Sequence, residues 1–331
     1  MNRLVPDLRT TSMRPASSLM TTAATTKSGS VIGSGHARRS RIDLQYCCVG
    51  PGSPQDIGGM RKRGRDPGRG HHDRLLVSQA RHATGVARRY RRVTTDPGVS
   101  MPVKDQRIVV VGASGVLGGA LAEHLVARGA LVEGTASSPE SLGRIPSVVP
   151  GRHVVDLEDP ASIAGFVLGI TASGPVDGIV IASGIVAFGT IAQTPPEVAD
   201  QLMQVNHLGP AALIAQALPA LTASATDGRT PFVLSICGVV AERAFPGMAA
   251  YVASKTAHSA WLRGLRMEVR RPAIRVIDAR PGHTETGLAG RAVFGQAPTM
   301  PEGMTATHVA DVIAAAIEGD ATDIASTDFS V

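Results

Sequence analysis

The chain has 331 residues, with 33 Lys and Arg against 27 Asp and Glu, a formal charge of +6. The first 100 residues carry 18 basic and 6 acidic side chains and residues 101–331 carry 15 and 21, so the body is acidic and by composition offers nucleic acid no surface. Three cysteines, the adjacent Cys47–Cys48 and Cys237, make neither a disulfide framework nor a zinc ladder, and no run approaches the ~18 apolar residues of a membrane span.

Residues 1–100 hold only 16 Leu, Ile, Val and Phe, below the roughly 20% under which charged chains stay unfolded, so a disordered basic extension is expected. Met1–Ser30 is rich in Ser and Thr, with Arg3, Arg9 and Arg14, and Arg61-Lys62-Arg63 and Arg88-Arg89 open two basic clusters. Three readings fit: a start-site overcall, a disordered tail, or a targeting or nucleic-acid-binding segment. The first is favoured, because Met101-Pro102-Val103-Lys104 runs straight into a strand as an ordinary start does.

From Arg107 short apolar runs alternate with helical patterns, which predicts a doubly wound α/β domain over 101–331 with a parallel sheet of about seven strands. Strands are expected at 107–112, 131–135, 152–156, 178–182, 232–236, 274–278 and 323–326. Helices are expected at 115–127, 160–168, 195–221, 249–271 and 307–318. Ile108–Val111 is wholly β-branched and apolar, as a central strand buried on both faces should be. Thr194 and Pro195 suit the cap and first position of the long third helix. The two longest helices either cover the sheet or also carry a homo-oligomer interface.

Gly112-Ala113-Ser114-Gly115-Val116-Leu117-Gly118 joins the first strand to a helix. Glycines there let backbone N–H groups approach a pyrophosphate, and the helix N-terminus adds partial positive charge, as in Rossmann-type folds. Strand two ends in Gly134-Thr135-Ala136-Ser137-Ser138 with Glu133 inside it. With no acid at the end, and with two serines and Arg144 nearby, the cofactor is NADP or NAD with a lean to NADP.

Tyr251-Val252-Ala253-Ser254-Lys255 places Tyr and Lys four apart on one helix face. An ammonium beside a phenol lowers its pKa, so Tyr251 is expected to exchange a proton with a carbonyl or alcohol.

With these residues in order, the body resembles the short-chain dehydrogenase/reductase family. Asp156-Leu157 matches the family's adenine-contacting Asp, Ala182-Ser183-Gly184 its Asn-Ala-Gly turn, and Val205-Asn206-His207-Leu208-Gly209 the helix motif whose Asn supports a relay water. Pro281-Gly282-His283-Thr284-Glu285-Thr286 matches the Pro-Gly-x-x-x-Thr segment that holds the nicotinamide carboxamide and phosphates. The resemblance implies an NAD(P)-dependent oxidoreductase acting on a small carbonyl/alcohol substrate, and the sparse cysteines make a reducing cytoplasm the expected compartment. Tyr251 would be acid/base, Lys255 would hold the nicotinamide ribose, Asn206 would keep the water, and the long helices would make a homo-oligomer.

Three positions depart from the pattern. Val116 stands where the family has its second glycine, Ala182 replaces the turn Asn, and Gly238 occupies the catalytic Ser position thirteen before Tyr251. A one-residue bulge would bring Cys237 into that position, as a weak donor or as a buried apolar filler; Ser235 is a further neighbour. Without that Ser, the other reading is a dinucleotide-binding sensor or scaffold with little catalysis. His207 is expected to be structural, His283 to lie near the ligand, and Arg280 to form a local salt bridge. The segment 288–304 is expected to be a substrate lid whose apolar and small residues suit a neutral, fairly apolar substrate.

Overall fold

The computed structural model describes residues 100–330; the expectations for the basic leader lie outside the described residues. The sheet begins where the chain is most β-branched. Strand β1 (Arg107–Val111) is buried from its second residue onward, and β4 (Gly178–Ile181) is buried throughout. Such continuous burial needs helices on both faces.

With β2 (Leu131–Ala136), β3 (Gly151–Val154), β5 (Phe232–Ile236), β6 (Arg275–Ala279) and β7 (Asp323–Ile324), seven strands pair in parallel in the order β3-β2-β1-β4-β5-β6-β7. The chain winds outward from β1 to β3, then returns to lay β4 beside β1. That reversal opens a crevice at the carboxyl ends of the strands, where ligands bind in such sheets.

Helices α1 (Val116–Ala127) and α6 (Ala306–Glu318) close one face over Ile108, Val110, Leu121, Leu125 and Ile313. On the other face, α2 (Pro160–Ala172), α4 (Gly209–Thr226) and α5 (Ala249–Glu268) bury Val109, Ile179, Leu213, Leu262 and Val276. Arg275 donates from the end of β6 to the Ala316 carbonyl at 3.0 Å and also to the Ile317 and Gly319 carbonyls, satisfying the open C-terminal end of α6.

The elements follow the expected order, with differences that matter. The long third helix divides into α3 (Pro196–Met203), a π-turn (Gln204–Leu208) and α4. Pro195 takes the cap position with Pro196 first inside, because the Thr194 hydroxyl is spent on the Thr190 carbonyl at 3.0 Å. Strand β7 has only two residues, since Ser326–Phe329 turns into a 3-10 helix. The combined helix Pro196–Thr226 runs 31 residues, with a window of mean hydropathy 1.3, so by length and composition it suffices to cross a membrane. Counting unbroken apolar residues misses that property. Within this fold 39% of the window is buried.

Candidate active site

The glycine turn is shaped by close approach. Gly112 has φ +89°, and a Cβ on it would meet the Ser183 nitrogen at 2.7 Å. A Cβ on Gly118 would stand 2.3 Å from the Gly112 oxygen, so only glycine lets α1 start this near the strand. Ala182, in place of the family's Asn, fits the same contact: its Cβ would lie 3.2 Å from a Cβ on Gly118. Val116 opens α1 with its side chain half exposed, so the departure from glycine faces the crevice rather than the core.

Thr135, which sequence reasoning passed over, secures this turn. Its hydroxyl accepts from Gly112 N–H at 3.1 Å and its carbonyl from Ser114 N–H at 3.3 Å. A hydroxyl directly opposite the turn in the neighbouring strand was the available signal. Glu133 is committed elsewhere. Arg107 and His153 bond it at 2.9 and 2.6 Å. Burial would raise its pKa, but those partners outweigh it and hold the carboxyl below its ordinary range. Ser138 bonds Ser141 in a cap, and Arg144 is exposed. Ser137 thus remains the serine of the strand end that faces the crevice.

The crevice is a cavity of about 1490 Å³, larger than the ~300–1,000 Å³ of single small-ligand sites. Gly112, Ser114, Gly115, Val116, Leu117, Gly118, Ser137, Asp156, Leu157, Ala182, Ser183 and Gly184 line its cofactor side. Cys237, Tyr251, Lys255, Pro281, Gly282, Thr284 and Thr286 complete the wall, with His283, Met300 and Met304. Asn206 stands one layer behind.

There Asn206 is a brace. Its amide oxygen accepts from Ile185 N–H at 2.9 Å, and its amide nitrogen donates to the Ile185 carbonyl at 2.9 Å and to Ser254 Oγ at 3.0 Å. It therefore pins the turn after β4 to α5. The π-turn that carries it widens the helix, a device common at functional sites. Gly209 ends that turn against Leu157, whose carbonyl would lie 2.3 Å from a Cβ there.

Lys255 is buried, and its Nζ donates to the Ile236 carbonyl at 3.0 Å. A Cβ on Gly184 would come within 3.1 Å of both Lys255 Nζ and Asn206 Oδ1. Burial lowers the Lys255 pKa against the opposing pull of Cys237 and Asp278. Burial, with Cys237 nearby, pushes the Tyr251 phenol above its ordinary range. The direction is opposite to the lowering expected from Lys255.

The missing Ser is not replaced by a nearby hydroxyl. Ser235 is fully buried, and its Oγ sits 3.1 Å from His258 Nε2. Cys237 reaches the cavity floor but is 0% exposed and packs in the core under α5. Burial, with Asp278 adjacent, raises its thiol well above the usual range. The N–H groups of Cys237, Gly238 and Val239 donate to the carbonyls of Ala279 and Pro281.

His258 joins Ser235 to His207, whose Nδ1 lies 3.4 Å away. Burial, then Lys255 and His207, depress the His258 pKa to about 3. An unfolded His titrates near 6.5 and binds protons the folded one refuses, so stability falls as pH drops from about 6.5 toward 3. We expect a loss of up to about 1.4 kcal/mol per pH unit from this group. Denaturant midpoints of wild type and His258→Gln between these pH values check it; parallel slopes would refute it.

The site fits a nicotinamide dinucleotide. Gly112, Gly115 and Gly118 line the cavity where the first helix starts, and the buried Ser183 Oγ beside them lacks a partner. The family model for short chain dehydrogenases matches residues 106–294. This chain belongs to the short-chain dehydrogenase family. Over 246 residues it is 30% identical to Dehydrogenase/reductase SDR family member 7B of Bos taurus, covering 68% of this chain and 74% of that one. Its fold matches a short chain dehydrogenase from Burkholderia cenocepacia in complex with NADP, at TM-score 0.59 and 24% identity over 68% and 89% of the two chains. It also matches a 3-ketoacyl-(acyl-carrier-protein) reductase from Brucella melitensis complexed with NADH, at TM-score 0.61 and 19% identity over 69% and 100%. Membership makes this short-chain dehydrogenase a nicotinamide-dependent oxidoreductase with a Rossmann-type fold.

Proposed function

We propose that the protein interconverts a carbonyl and an alcohol with Tyr251 as general acid and base. The observation that carries this is the placement of Tyr251 and Lys255 on the wall of one cavity whose other end is the glycine cradle. The nicotinamide, when bound, supplies or accepts the hydride. The glycine turn with Ser114 would bind the pyrophosphate, Asp156 and Leu157 the adenine, Lys255 the ribose, and Pro281, Gly282, Thr284 and Thr286 the carboxamide and phosphates. Tyr251 would give its proton to the carbonyl oxygen in reduction and take one from the alcohol in oxidation. Asn206 holds the π-turn at which a water would relay protons.

Ser137 at the end of β2, with no acid beside it, favours NADP over NAD. The outer faces of α4 and α5 would join two copies, and the protein would work in the cytoplasm; gel filtration and cell fractionation test these. A second reading, dinucleotide sensor or scaffold, is favoured by one observation: Ser235 is spent on His258 inside the core and Cys237 is 0% exposed, so neither offers a substrate oxygen a free hydroxyl. Steady-state assays of ketones and alcohols with each nicotinamide separate the two. Turnover with reduced NADP above that with NAD is expected. Dinucleotide binding without turnover of any carbonyl would establish the second reading.

A further inference from the structure

Past Tyr251 the cavity wall becomes apolar. Val186, Phe188, Val240, Phe245 and Met248 line this part of the cavity and belong to one apolar cluster with Tyr251. Two arginines line the same cavity from two loops. Arg243 lies over the Phe245 ring, its guanidinium carbon 5.0 Å from the centroid. Among the described residues the Arg291 guanidinium donates only to the Thr286 carbonyl, at 3.3 Å.

Both loops are built into the wall rather than hanging from it. Gly189 N–H bonds the Gly247 carbonyl at 2.7 Å, Val293 N–H the Val186 carbonyl at 2.9 Å, and Phe188 N–H the Phe294 carbonyl at 2.9 Å. Among the described residues no carboxylate forms an ion pair with either guanidinium, whereas Arg107, Arg128, Arg229 and Arg280 all have one. The acids of the cavity are mostly committed. Glu242 is held by Arg280 and Ser326, and Glu285 by His283 and Gly303 N–H. Glu158 accepts from Gln201, and Asp156 from Glu158 N–H. Glu302 is the acid left over.

A guanidinium stacked on an aromatic ring keeps its in-plane N–H fork free, and that fork matches the oxygens of a carboxylate or phosphate. We propose that the substrate carries an anionic group bound by Arg243 and Arg291, with an apolar chain lying along the wall between that group and the carbonyl at Tyr251. This rests on the oxidoreductase reading above. It keeps the apolar half of the sequence expectation and replaces the neutral half.

The test compares straight-chain oxo-carboxylates of graded length, their methyl esters, and oxo-alkyl phosphates on the full chain with reduced NADP. The anionic members should be preferred in kcat/KM by roughly tenfold to a hundredfold, the worth of one or two charge-assisted bonds. Arg243→Gln should abolish that preference through KM rather than kcat, and Arg243→Lys should restore part of it. The ratio of phosphate to carboxylate turnover tells which anion is native. Equal use of acids and esters, or a preference that survives both Arg243→Gln and Arg291→Gln, overturns the proposal. If nothing turns over, the oxidoreductase reading has failed instead. Calorimetry of oxo-acid and ester binding to the NADP-loaded protein then decides this one: binding selective for the acid and lost in Arg243→Gln supports it, and equal binding overturns it.

Discussion

Tyr251→Phe should lower kcat by about 10²–10⁴, the usual worth of a positioned general acid, while dinucleotide binding persists. The substitution is nearly volume-conserving, and the ring stays packed with Val240, Phe188 and Phe245. The Tyr251 side chain also makes no hydrogen bond within the described residues; its backbone carbonyl is what accepts from Ser254. Deleting the hydroxyl therefore removes the proton donor without orphaning a partner, and the unfolding midpoint should hold. Steady-state kinetics beside a thermal melt check this. Unchanged turnover in Tyr251→Phe would place the acid elsewhere. Because the hydroxyl that normally helps polarise the carbonyl is absent from this site, Tyr251 carries the task with fewer donors. Losing one such donor typically costs about 10²–10³ in rate, so a slow enzyme is expected.

Arg280→Met should destabilise the fold by about 3–5 kcal/mol, the range for breaking a buried ion pair from one side. Arg280 donates to Asp278 at 2.9 Å, to both oxygens of Asp323 at 2.7 and 2.8 Å, and to Glu242 at 2.8 Å. Its own side chain is 7% exposed and that of Asp278 only 1%. Asp278 Oδ2 also accepts from Ser259, so removing the cation leaves a buried carboxylate with no guanidinium bonded to it. The loss sits directly before Pro281-Gly282, so cofactor affinity should fall with stability. The pH dependence has a definite sign. Burial would raise the Glu242 pKa, but bonds from Ser326 and Arg280 outweigh it and hold it below 4.5. Its contribution is complete above about 4.5 and fades as pH falls through the lower folded value. The gap between wild type and Arg280→Met should therefore narrow in acid. Denaturant unfolding at neutral and acidic pH measures both effects, and a loss below ~1 kcal/mol would show that the network is replaceable.

Much of the architecture was legible because burial on both faces of a parallel sheet leaves continuous apolar runs such as Ile108–Val111. The glycine turn was legible because Gly112 and Gly118 are positions where a side chain collides with backbone. The Tyr-Lys spacing needs only helical periodicity. The π-turn at Gln204–Leu208 was not legible, because it uses the same residue types as the helices that flank it and is set by packing against Leu157 and α5. Strand β7 was shortened by a 3-10 turn whose Asp328 carboxylate bonds Ala325 N–H at 2.8 Å, a local preference that the apolar pattern does not carry. The orientation of Ser235 and Cys237 depends on which sheet face α5 covers, so no spacing from Tyr251 reveals it. Pairing along the helix suggested Lys255 as the charge that sets the phenol's pKa, whereas in the fold burial pushes it the other way.

The most direct test of the central claim follows the hydride. The full chain is given NADP whose reduced nicotinamide ring carbon bears deuterium, together with a carbonyl compound bearing an anionic group, and the alcohol is analysed by mass spectrometry. Deuterium on the former carbonyl carbon, appearing with wild type and about 10²–10⁴-fold more slowly with Tyr251→Phe, is the predicted result. Dinucleotide that binds the glycine cradle but never passes its deuterium to any carbonyl would contradict it.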